Sequence, residues 1–267
     1  MIPFLHVGPL SIPTFGLMVA TALLVSAYVL QADFNRRSEQ LQLAHKKSYK
    51  DEGFLVIGVA GLAGLLGARL YHVLESPREF FADPWPQLLS RYGFAWFGGF
   101  LGGFIALIFL ARNAQIPLLE FLDICSPAAC VGYAIGRIGC LLSGDGDYGV
   151  PTSLPWGMSF PNGVMPTTER VHPTPIYEFI MWMAIAAFLW HMGTKALRGP
   201  KAKGEVFCNY LILTGGARFL IEFIRINPRS FFGMTNAQTA SLVSIVFGAM
   251  LLWHVKSHFR APEGERD

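Results

Sequence analysis

Apolar runs of helix length, separated by short polar stretches, recur along the whole chain. Seven can be drawn, at about 12–31, 54–74, 93–111, 118–142, 174–193, 205–225 and 237–256. A helix needs ~20 such residues to cross the hydrocarbon of a bilayer. The first, third, fifth and seventh runs are clear, while the second and sixth carry charges. The fourth opens on Pro117-Leu-Leu-Glu-Phe-Leu-Asp123, polar enough to lie partly in the interface. The pattern predicts an all-α integral membrane protein: seven transmembrane helices in one domain over 1–267, with an outer-face loop at 143–173.

Composition agrees with the pattern. Of 267 residues, 52% are hydrophobic and 15% charged, where a soluble domain carries about 25% charge. Mean hydropathy is +0.41. A net charge of +3 is too small to imply a nucleic-acid partner. Cys125, Cys130, Cys140 and Cys208 all fall in apolar segments, so no disulfide framework is expected. The opening residues Met1-Ile-Pro-Phe-Leu lack a basic n-region, so no cleavable signal peptide is expected.

Lysine and arginine set the orientation. With seven spans, one side holds Arg36, Arg37, Lys46, Lys47, Lys50, Arg112, Lys195, Arg198, Lys201, Lys203, Lys256, Arg260 and Arg266, including every lysine of the chain. The other side holds only Arg78, Arg91, Arg170 and Arg229. The amino terminus is therefore expected outside and the carboxyl terminus in the cytoplasm.

The remaining arginines, Arg69, Arg137, Arg218 and Arg225, lie in spans or at their ends. Each costs about 2.5–3.5 kcal/mol at a lipid-facing helix centre on insertion scales, so each calls for a counter-ion, a ligand or a wet cavity. Spans two, four and six run outward and place these charges near their outer ends. Arg218 precedes Arg225 by two turns, roughly 10 Å along a helix axis. Span five runs inward, which puts Glu178 at the same level. The expectation is a polar cavity in the outer half of the bilayer.

Arg218, Glu222 and Arg225 fall on one helical stripe, where Arg–Glu pairing lets both signs persist in the membrane. A structural ion-pair network explains such a stripe as well as an anion site does. Guanidinium groups bind phosphate bidentately, so the functional reading is a phospholipid headgroup. After Arg137, the run Gly-Cys-Leu-Leu-Ser-Gly-Asp-Gly-Asp-Tyr-Gly brings Asp145 and Asp147 between glycines. These carboxylates suit a general base, a cation-orienting group or a plain helix stop. Two acids without a histidine cluster make a poor metal ligand set, and neither a metal nor a cofactor is expected. His172 stands just before span five, as an interfacial cap or as a catalytic group. Glycines 58, 61, 64 and 67 in span two, with 98, 99, 102 and 103 in span three, fit close helix packing.

Three motifs in order resemble one family: Gly-Arg-Ile-Gly-Cys-Leu-Leu-Ser-Gly-Asp at 136–145, His-Pro-Thr-Pro-Ile-Tyr-Glu at 172–178, and Gly-Ala-Arg-Phe-Leu-Ile-Glu-Phe-Ile-Arg at 216–225. Together with seven spans they resemble prolipoprotein diacylglyceryl transferase over nearly the whole chain. The resemblance implies transfer of a diacylglyceryl group from phosphatidylglycerol to the lipobox cysteine thiol of a prolipoprotein signal peptide, with release of glycerol 1-phosphate. It implies a multi-pass protein of the bacterial inner membrane, in contact with membrane lipid, its site opening toward the outer leaflet. It implies catalytic roles for Arg137, Arg218 and Glu222, while proton removal, usually given to a histidine at the position of Phe97, is expected to fall to Asp145, Asp147 or His172. It also implies phosphatidylglycerol binding by Arg137, Arg218, Arg69, Arg225, Tyr177 and Glu178. The sequence departs from the family pattern at Phe97, where a histidine is usual, and at Phe15, where a tyrosine is. Cys140 and Ser143 replace two asparagines, and Asp145 a glutamate. Two alternatives are a related transferase with another acceptor and a phospholipid-binding or transport protein, although a transporter would show inverted repeats.

Overall fold

The structure, a computed structural model, describes residues 2–45, 51–75, 80, 85, 95–197 and 202–259. Lys46, Lys47, Lys50, Arg78, Arg91, Arg198, Lys201, Arg260 and Arg266 lie outside the described residues. Every expected apolar run folds as a helix: α1 Thr14–His45, α2 Glu52–Glu75, α3 Trp96–Ala114, α4 Leu118–Ser143, α5 Thr174–Ala196, α6 Glu205–Ile221 and α7 Asn236–Ser257. Six are long and apolar enough to cross a membrane. Helix α6, with 17 residues, falls outside that set.

Two boundaries differ from expectation. Helix α1 runs well past 31, because the charges that end its apolar run are satisfied along the helix itself. Asp33 pairs with Arg36 at 2.7 Å and with Arg37 at 2.5 Å. Helix α6 stops at Ile221, short of 225. There the Ile224 carbonyl accepts from the Val150 N–H at 2.8 Å, and Gly149 forms a bridge with Arg225. The 145–150 turn thus takes over backbone groups that a continuing helix would use.

Short hairpins add to the helices: β1 Phe4–Val7 with β2 Leu10–Pro13, β3 Met158–Phe160 with β4 Thr167–Val171, and β5 Arg229–Phe231 with β6 Met234–Thr235, all antiparallel. The expected outer loop is therefore partly ordered by β3–β4. Tyr148 stacks on Phe160 at a ring separation of 4.3 Å, and both are buried with Val171.

The chain divides into two compact units, one of residues up to Ser26 together with those from Leu122 onward, the other of Ala27–Phe121. In the second unit α2 and α3 meet through glycines. A Cβ at Gly67 would strike the Gly98 carbonyl, and one at Gly102 the Ala63 carbonyl. In the first unit Asp123 of α4 accepts from the Gly204 and Phe207 N–H groups, each at 2.7 Å, and so caps α6. Helix α7 starts on a capping box formed by Thr235 and Gln238. Helix α5 is preceded by Pro173 at its N-cap and carries Pro175 in its first turn, where proline's missing N–H costs nothing.

Candidate functional site

Three segments of the first unit converge on one carboxylate. Helix α4 presents Tyr133, Arg137 and Cys140 at spacings of four and three, hence on one face. The first turns of α5 present Tyr177 and Glu178. Helix α6 ends with Arg218, and the turn after it carries Glu222 and Arg225.

Glu178 is the hub, with no exposed surface. Its Oε1 accepts from the Tyr133 hydroxyl at 2.8 Å and from Arg218 Nη1 at 2.8 Å. Its Oε2 lies 2.5 Å from Arg137 Nη2 and 3.2 Å from Arg225 Nη1. Glu222, also buried, pairs with Arg218 Nη2 at 3.1 Å and Arg225 Nε at 3.7 Å, and accepts from Asn227. Asp147 takes the remaining arms, meeting Arg137 Nη1 at 2.5 Å and also Arg225 Nη2. Three guanidinium groups thus face three carboxylates, and the cluster is electrically balanced. Balance is what burial requires, since an unpaired charge there costs several kcal/mol.

Exposure grades the cluster. The Glu178 and Glu222 side chains are 0% exposed and Arg225 6%, whereas Arg218 is 24% and Asp147 32% exposed. The accessible edge consists of one arginine and one carboxylate. Arg137 Nε, buried, has no hydrogen-bond acceptor among the described residues.

The turn holding Asp145 and Asp147 depends on Gly144 and Gly146, whose φ values of 61° and 94° are ones that side-chain-bearing residues avoid. Asp145 Oδ1 accepts from the Asp147 N–H at 3.3 Å, and the Thr174 hydroxyl donates to the Asp147 carbonyl at 2.6 Å. The two carboxyls titrate in opposite directions. Burial pushes Asp145 above the ordinary carboxylate range, although the neighbouring Cys140 thiol pulls it back in part. Burial would raise Asp147 too, but the guanidinium groups of Arg137 and Arg225 outweigh it and hold that carboxyl low. Ligand atoms of Cys140, Asp145 and Asp147 lie within 4.8 Å of one another. Arg137 Nη1 stands 3.4 Å from Cys140 Sγ, and this fixed positive charge disfavours a cation among them.

The other expected residues lie as follows. His172 Nδ1 is 3.2 Å from the Tyr177 hydroxyl, which accepts from Trp156 Nε1 at 2.7 Å. These three form an aromatic chain at the start of α5. Arg69 is buried in α2, within the second unit, where Phe97 of α3 is 67% exposed. Tyr133 and Asn227 join the cluster without having been singled out in the sequence. The spacing of Tyr133 four residues before Arg137 was the available signal for the first; nothing in the sequence pointed to Asn227.

The sequence model of the family described as prolipoprotein diacylglyceryl transferase matches residues 3–254. Proteins named phosphatidylglycerol–prolipoprotein diacylglyceryl transferase are similar along nearly their full length. The one from Cupriavidus pinatubonensis is 33% identical over 97% of this chain and 93% of its own. That from Synechococcus elongatus is 31% identical over 93% and 85%. That from Clostridium tetani is 30% identical over 90% and 91%.

Proposed function

This chain belongs to the prolipoprotein diacylglyceryl transferase family, and we propose that its arginine–carboxylate cluster is the donor-lipid site of the family's reaction. The protein is a multi-pass membrane transferase that moves a diacylglyceryl group from phosphatidylglycerol to a prolipoprotein. The acceptor atom is the thiol of the lipobox cysteine, and glycerol 1-phosphate leaves.

One observation carries the site assignment: Arg137, Arg218 and Arg225 are held by a carboxylate with no exposed surface. A guanidinium locked in place by a buried counter-ion needs no reorganisation when charge develops beside it, which is how preorganised sites lower barriers. Thioether formation puts that charge on the departing phosphate. The sulfur bonds to the glycerol C3 carbon, the carbon–oxygen bond to phosphate breaks, and the oxyanion grows next to the arginines. Arg218, exposed at the edge, is the best placed to meet it, with Arg137 beside it on the same Glu178 carboxylate. Glu222 orients Arg218 and Arg225.

The thiol must lose a proton to become the nucleophile. Asp145 fits this task best: its raised pKa makes it a stronger base than an ordinary carboxylate, and it borders the cluster through Asp147 and Cys140. His172 is occupied with Tyr177 and positions the aromatic chain. The amino terminus faces outward, the carboxyl terminus faces the cytoplasm, and the site draws lipid from the outer leaflet. The lysine distribution supports this orientation.

Membranes carrying the protein, given phosphatidylglycerol and a lipobox peptide, should form diacylglyceryl peptide and glycerol 1-phosphate. Neither product from folded protein would overturn the reading. Arg137→Ala and Arg218→Ala should each abolish the reaction. Retained activity with both replaced would remove the cluster from the site.

A further inference from the structure

The cluster holds three guanidinium groups and three carboxylates, so a phosphate that enters it brings one negative charge too many. Surplus charge in a buried cluster is costly. One carboxylate must therefore give way. Glu178 and Glu222 are fully buried, Glu178 on three arginines and Glu222 on two. Asp147 also meets two arginines but differs in exposure and in its place on the chain. Its side chain is 32% exposed, and it sits on a turn between Gly146 and Gly149. Its backbone stays fixed by the Thr174 hydroxyl on its carbonyl and by Asp145 on its N–H, so the side chain can rotate away alone. Its two oxygens each contact one guanidinium, Arg137 for one and Arg225 for the other, an arrangement two phosphate oxygens would reproduce.

We infer that Asp147 is the exchangeable counter-ion of the arginine cluster: its carboxylate holds the place of the donor's phosphate in the empty site, is displaced when phosphate binds, and returns to expel the phosphate product. The inference rests on the cluster being the donor-lipid site. It makes Asp147 a positioning residue whose removal tightens anion binding, whereas loss of a merely structural ion pair would loosen it. It also places the benefit of Asp147 in turnover, because glycerol 1-phosphate must leave before the next lipid enters.

The test uses the full-length enzyme in phosphatidylglycerol vesicles, with added glycerol 1-phosphate as competing anion. Asp147→Asn removes the charge at nearly constant size and leaves one oxygen to accept from one of the two arginines. It should lower the inhibition constant for glycerol 1-phosphate and the KM for phosphatidylglycerol by about threefold to fivefold, the effect of one partly exposed carboxylate lost as a competitor. It should lower kcat as product release slows. Thr174→Val, which unpins the turn without altering charge, should shift the inhibition constant the same way by less and serves if Asp147→Asn fails to accumulate. An unchanged or raised inhibition constant in folded Asp147→Asn overturns the inference. Arg137→Lys separates the two levels: weaker inhibition there, with no gain in Asp147→Asn, overturns the exchange alone. If Arg137→Lys leaves inhibition untouched, the phosphate site itself is overturned.

Discussion

Glu178 shows how one residue can decide a site. Its two oxygens serve three arginines and a tyrosine whose positions in the chain are 40 to 47 residues away. Breaking a buried pair by removing one partner costs about 3–5 kcal/mol, because the other charge is left uncompensated. Glu178→Gln should therefore lower the melting temperature in detergent strongly and abolish transfer, both read on the same purified sample. Asp145 predicts the opposite split. Its pKa is raised in the folded protein, so the folded state holds the proton more tightly than the unfolded chain does. Stability from this group is fully present below the unfolded pKa and is lost as pH rises through the folded one. Asp145→Asn should then raise the melting temperature at neutral pH, with no gain in strong acid, while transfer falls about 100-fold or more if Asp145 is the base. Asp147 has the reverse sign: its pairing stabilises above the ordinary carboxylate range, and that contribution is lost only as pH falls through its depressed pKa. The arginines were legible in the sequence because a guanidinium in an apolar run demands a partner. The partner was only half legible. Glu222, four residues after Arg218, could be paired by spacing, but Glu178 as the common hub could not.

At the scale of elements, the apolar runs predicted the seven long helices α1 to α7, and the ends were where expectation failed. Helix α1 continues because Asp33 satisfies its own arginines, and α6 stops because the acidic turn takes its next backbone groups. Glycines in α2 and α3 act by close approach. Gly102→Ala would push a methyl into the Ala63 carbonyl and should cost about 1–3 kcal/mol as overpacking. Gly58→Ala, with open space around it, should be neutral or slightly stabilising in the same melts. Asp123 spans from α4 to the first turn of α6, two N–H groups that would otherwise lack partners. Asp123→Ala should destabilise by about 0.5–2 kcal/mol, as a lost helix cap does, and loosen α6, visible as faster amide exchange at Phe207.

For the molecule as a whole, orientation is the property that composition speaks to most directly. A membrane-impermeant maleimide applied to spheroplasts should label Arg229→Cys and spare Lys195→Cys, since the native cysteines are buried or half-buried. Labelling of Lys195→Cys alone would invert the topology. The sequence by itself determined that this chain folds as apolar helices carrying a few costly charges, because hydrocarbon tolerates little else and hydropathy is a local property. It also determined that arginines would gather with carboxylates, because a charge in an apolar helix must be compensated. Only the tertiary structure decided which carboxylates: Glu178 at the centre, Glu222 behind, Asp147 at the accessible edge. Pairing across helices depends on which faces meet, and that is a property of packing, which spacing along one helix cannot encode.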